Sequence, residues 1–101
     1  MIFVYTKCEN MEEAEKLGSV IITNKIGASV DFWPISSCFN DEGSMKCTQQ
    51  VMLQIATFES KLEEVTQVLS DNNSKNISFI AGVDVRRVNL SYKEWMMQVI
   101  E

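Results

Sequence analysis

Two long extended stretches, residues 28 to 41 and 44 to 57, meet at Asp41-Glu42-Gly43-Ser44 and constrain the fold more than anything else in the chain. Glu42-Gly43 supplies a two-residue turn, so the stretches are expected to pair as strands two and three of one hairpin. Fourteen residues at about 3.3 Å each reach about 45 Å, whereas a compact 100-residue domain is only about 34 Å across. The ribbon must overhang the rest of the chain or bend back at Pro34. An overhanging ribbon leaves strand edges unpaired, and the usual remedy is to pair them with another copy of the chain. An oligomer is expected from hairpin length alone.

The same turn places two cysteines. Cys38 and Cys47 are equidistant from Glu42-Gly43, and counting outward from 41:44 makes 38:47 a non-hydrogen-bonded pair, with Cα atoms only about 4.5 Å apart. Alternation puts Met45 on the same face, so Cys38, Cys47 and Met45 form a soft set of the kind Cu(I) prefers. A cross-strand disulfide is a second reading, and a pair of buried or half-buried small side chains is the ordinary one. Copper is the one metal this set suggests, and no other cofactor is expected. Cys8 completes an odd set without CxxC spacing, which fits neither a secreted disulfide framework nor a zinc knuckle. Reduced thiols are the expectation.

Around the hairpin, residues 1 to 7 read as a first strand buried on both faces. Asn10 with Glu13 has capping-box spacing, and Met11, Ala14, Leu17 and Ile21 recur at helical spacing to about Thr23, with Asn24 as a left-handed cap. Ser60 with Glu63 opens a second helix striped by Leu62, Val65, Val68 and Leu69. Residues 77 to 88 alternate as a fourth strand. Ser91 with Glu94 opens a short terminal helix carrying Tyr92, Trp95, Met96, Val99 and Ile100. The order is β-α-β-β-α-β plus a helix: an α+β, ferredoxin-like sandwich in a single domain over residues 1 to 101, with a long central hairpin.

Charge and composition narrow the function classes. Nine Lys plus Arg against 14 Asp plus Glu leave a formal charge of −5, the wrong sign for a nucleic-acid partner. No stretch approaches the roughly 18 continuous apolar residues of a membrane span, and the apolar run at Met1 to Lys7 is too short for a signal peptide, so a cytoplasmic location is expected. Histidine is absent, which removes the commonest general base, the Ser-His and Cys-His pairs and the commonest transition-metal ligand. With no Walker-type loop, G-x-S-x-G or H-E-x-x-H either, a non-enzymatic role is expected. Phe32, Trp33 and Phe39 on the hairpin and Trp95 on the terminal helix read as core and interface packing, or as the wall of a pocket between subunits.

These pieces, in this order, resemble the CutA divalent-cation tolerance proteins. Glu13-Ala14-Glu15 sits at that family's E-A-E-like helix start, and residues 25 to 31, Lys-Ile-Gly-Ala-Ser-Val-Asp, look like its L-A-A-C-V-N segment. Pro34 and Ser37 fall near its strand-two proline and serine, Glu42-Gly43 on its hairpin tip, residues 51 to 57 on its third strand, and Tyr92-x-x-Trp95 on its closing Y-x-x-W. The resemblance implies a small cytoplasmic homotrimer of ferredoxin-like fold, linked to divalent-cation and copper tolerance. It also implies that the usual pocket is altered: Ser29 stands for the family cysteine, Gln50 for a glutamate and Ala56 for a lysine, and residues 73 to 80 keep only the last position of H-P-Y-E-x-P-E-I. PII signalling proteins share the trimeric plan, so a small-molecule sensor or a module for an unidentified protein partner is the alternative reading.

Overall fold

A computed structural model describes residues 1–72 and 79–101. In chain order the elements are β1 (Ile2–Cys8), α1 (Met11–Thr23), β2 (Ser29–Asp41), β3 (Ser44–Thr57), a 3-10 turn (Glu59–Lys61), α2 (Leu62–Asp71), β4 (Ile80–Asp84) and α3 (Leu90–Val99). The strands form one antiparallel sheet in the order β2-β3-β1-β4, the ferredoxin-like α+β arrangement.

Local chemistry explains the element ends. The Asn10 side chain accepts a 2.8 Å hydrogen bond from the Glu13 backbone N–H, and Glu13 reaches back to the N–H of Glu9, so the first helix starts as its capping pattern requires. At its other end Lys25, rather than Asn24, takes the left-handed conformation, with φ 58°. The N–H groups of Lys25 and Ile26 return to the carbonyls of Ile22 and Ile21, which closes a Schellman motif. The other two capping boxes are not formed. The 3-10 turn displaces the start of α2 to Leu62, with Lys61 before it, and α3 starts at Leu90, where the Asn89 side chain donates to Ser91 Oγ instead of capping the helix.

β1 also differs from a strand buried on both faces. Ile2, Val4, Thr6 and Cys8 are buried toward α1 and α2, while Phe3, Tyr5 and Lys7 are half-buried on the opposite side. The helix-side core adds Ala14, Leu17 and Ile21 from α1, Val51, Leu53 and Ile55 from β3, and Val65 and Leu69 from α2. Gly27 passes so close to it that a Cβ there would lie 2.5 Å from Ile21 Cγ2. α3 covers one end of the opposite face, where Met96 and Ile100 pack with Ala28, Ala56, Phe3 and Tyr92. The β4 ladder with β1 runs from Ile80 to Asp84, shorter at its far end than the alternating pattern to residue 88, with one further bond from the Val85 N–H to the Met1 carbonyl; residues 77 and 78 of that pattern lie outside the described residues.

The hairpin overhangs and does not bend. Its register is unbroken from Ser29↔Ala56 to Asp41↔Ser44, but β1 pairs with β3 only from Thr57 back to Val51. Beyond that point, among the described residues, each strand pairs only with the other, and the molecule measures 46 × 25 × 21 Å. Pro34 lies opposite Val51, and by the alternation set at the turn this is a non-hydrogen-bonded pair. The missing N–H therefore falls on the outer edge of β2 and costs no ladder bond.

Candidate functional site

The hairpin tip is built by its turn. Glu42 and Gly43 both have positive φ, 52° and 88°, as a type I′ turn requires, and Asn40 Oδ1 accepts the Gly43 N–H at 2.9 Å. Lys46 Nζ closes the same end on Asp41 at 2.9 Å. This turn fixes the register that sets Cys38 opposite Cys47, with Cα atoms 4.0 Å apart, and the two sulfurs are joined in a disulfide.

Two expectations are corrected here. The pair is oxidised rather than reduced, and both residues are exposed rather than buried or half-buried, because among the described residues no helix or third strand extends over this part of the ribbon. Met45 belongs to the same face and is 76% exposed. With both sulfurs in the bond neither is a thiolate, so Cys38, Cys47 and Met45 do not form a metal-ligating set in this state. Among the described residues no group of three or more His, Cys, Asp or Glu side chains could hold a metal ion. Cys8, outside the disulfide, is buried beneath the helices.

The aromatic residues divide by parity. Trp33 and Phe39 lie on the sheet face opposite α1 and α2 and are 40% and 47% exposed. Phe32, one residue out of phase, turns inward against the helix-side core, which fits the core-packing reading of these aromatics and takes it away from a pocket wall shared with Trp33 and Phe39. Trp95 is 40% exposed on α3, with its ring 5.4 Å from that of Tyr92, and no described ring contact brings it to Trp33.

That open face gathers further residues. Ser29, Gln50 and Ala56, the positions that the resemblance implies are altered, all belong to it. Ser29 Oγ and Tyr92 Oη share a 2.8 Å hydrogen bond that ties β2 to α3, Ala56 is buried under Met96, and Gln50 is buried where the overhang begins. Most of the segment matched to H-P-Y-E-x-P-E-I, residues 73–78, lies outside the described residues. Sequence reasoning missed Lys7, whose ammonium donates to Ser37 Oγ at 3.2 Å and sits 5.2 Å from the centre of the Phe79 ring. The signal was present in the alternation of β1, which places Lys7 opposite Met52 on the open face.

The profile of the family described as CutA1 divalent ion tolerance protein matches residues 2–99. The rice Protein CutA 1, chloroplastic, is 30% identical over 96 residues, covering 94% of this chain but 54% of the relative, so the chain spans about half of that protein's length. The Divalent-cation tolerance protein CutA of Archaeoglobus fulgidus is 24% identical over 98% of this chain and 97% of its own. Among solved structures, that of the A. fulgidus protein, titled a periplasmic divalent cation tolerance protein, superposes with a TM-score of 0.96 at 24% identity over the full length of both chains. The rice CutA1 crystal structure gives 0.94 at 29% identity, covering 99% of this chain and 93% of the other. The family match spans β1, the long hairpin and α3 alike, and the chain belongs to the CutA1 divalent ion tolerance family.

Proposed function

We propose that this protein is a non-enzymatic homotrimer of the cytoplasm that acts in divalent-cation tolerance through its assembled surface, with the usual family pocket residues replaced. The observation that carries the reading is the family match over residues 2–99 together with a hairpin whose outer half has no third strand among the described residues. Trp33 and Phe39 are exposed on the open face of that ribbon, and large aromatics are the side chains that interfaces concentrate. Pairing the ribbon with other copies would cover them and its free edges together.

Native mass spectrometry of protein purified from reducing cytosol without added metal tests the assembly. A trimer is expected, and a monomer at micromolar concentration overturns it. Growth in graded copper and zinc tests the tolerance role. Cells expressing the chain are expected to outgrow cells without it, and equal growth removes that role while leaving the assembly standing. Fractionation of the same cells is expected to find the chain in the cytoplasm, and recovery in another compartment overturns that placement.

A further inference from the structure

We propose that Cys38, Cys47 and Met45 form a redox-gated site for a soft monovalent cation of the Cu(I) type, closed while the disulfide stands and open once it is reduced. Three observations on the overhang carry this. The cysteines are locked face to face by an unbroken register and a type I′ turn, so they remain neighbours whether or not the bond between them exists. Both are exposed, so a small-molecule thiol can reach the bond. Met45 sits two residues from Cys47 on the same face, diagonal to Cys38, with a side chain 76% exposed and therefore free to fold over the pair.

The chemistry balances in two steps. Reduction passes two electrons and two protons from a dithiol, or from two monothiols, to the disulfide, leaving two thiols on the hairpin and a new disulfide on the reductant. Cu(I) then displaces both thiol protons, and the thiolates hold it between the strands with the Met45 thioether as a third, weaker donor. Cross-strand Cβ atoms at such a pair lie about 4.5–5.5 Å apart once no bond draws them together, so side-chain rotation alone opens room for the ion.

The site lies on the ribbon face opposite Trp33 and Phe39, and Cu(I) uptake is read separately from subunit number and from growth, so its failure is distinguishable from failure of the trimer or of the tolerance role. The test is anaerobic competition for Cu(I) against a chromophoric Cu(I) chelator, using the full chain with its thiols counted beforehand. Reduced protein is expected to take one Cu(I) per chain, and the oxidised form, Cys38→Ser and Cys47→Ser none. Cys8→Ser should behave as the parent does. Met45→Leu should weaken competition by at least about tenfold, the lower end of what losing a contact around a bound metal costs. Equal uptake by reduced and oxidised protein overturns the gate, as does a protein that keeps three titratable thiols after air equilibration. No uptake by the fully reduced chain, or unchanged uptake in Cys38→Ser and Cys47→Ser, overturns the site. Circular dichroism of each variant separates lost ligands from lost fold.

Discussion

The half of β3 that lies beside β1 and the half that extends past it belong to one strand, yet they answer to different physics. From Val51 to Thr57 the residues facing α1 and α2 are almost wholly excluded from water, and β1 and β2 flank the strand on both edges. From Ser44 to Gln49 every residue is exposed, and β2 is the single neighbouring strand among the described residues. The inner half is stabilised by apolar burial, the outer half by a turn, a ladder and one covalent link. A strand can therefore be continuous in geometry and discontinuous in what holds it.

The sharpest way to break this comparison is to cut into each half. Leu53→Ala removes a fully buried side chain and is expected to cost about 2–5 kcal/mol in urea unfolding, whereas Thr48→Ala on the exposed half should stay within about 0.5 kcal/mol. Equal losses would mean that the two halves are not energetically distinct. Reducing Cys38–Cys47 comes next. Chain-entropy arithmetic for so short a loop gives about 2.5 kcal/mol at most. The effect should be local, so hydrogen exchange should quicken over residues 36–49 and hold steady over 51–57. Exchange that quickens uniformly would tie the overhang to the global fold.

Smaller changes sharpen the same contrast. Asn10→Ala removes the side chain that caps α1, and its loss of about 1 kcal/mol should appear in the global unfolding midpoint because that helix belongs to the body. Glu42 sits at φ 52°, where asparagine is better tolerated, so Glu42→Asn should stabilise the tip by about 0.5 kcal/mol. Slower exchange near residues 39–46 of the reduced protein, with the midpoint unmoved, is the expected readout.

The sequence spoke clearly where a signal was local and symmetric. Glu42-Gly43 with matched stretches on either side gave the hairpin, its register and the cysteine pairing, because side-chain period and turn type determine these without reference to the rest of the chain. It spoke poorly where an answer depended on a distant partner. Nothing within residues 85 to 88 says that β4 must stop at Asp84; its extent depends on pairing with β1, whose ladder reaches Ile2↔Asp84. Ser60 and Ser91 carry capping spacing as clearly as Asn10 does, yet tertiary packing chose other helix starts. Phe32 looked like a neighbour of Trp33 until the sheet acquired two faces. The exposure of Cys38 and Cys47 likewise depended on what failed to cover them rather than on any residue beside them.

Both chain ends are fastened far from the hairpin tip. The Glu101 N–H bonds to the Lys25 carbonyl, its carboxylate pairs with Lys25 Nζ at 3.1 Å, and the Met1 carbonyl takes the Val85 N–H. The molecule thus has two poles, one carrying the termini and the other the tip. A tag, tether or second module joined at either end would ride at the terminal pole, leaving the opposite pole clear to probe its surroundings like the tip of a lever held at its base.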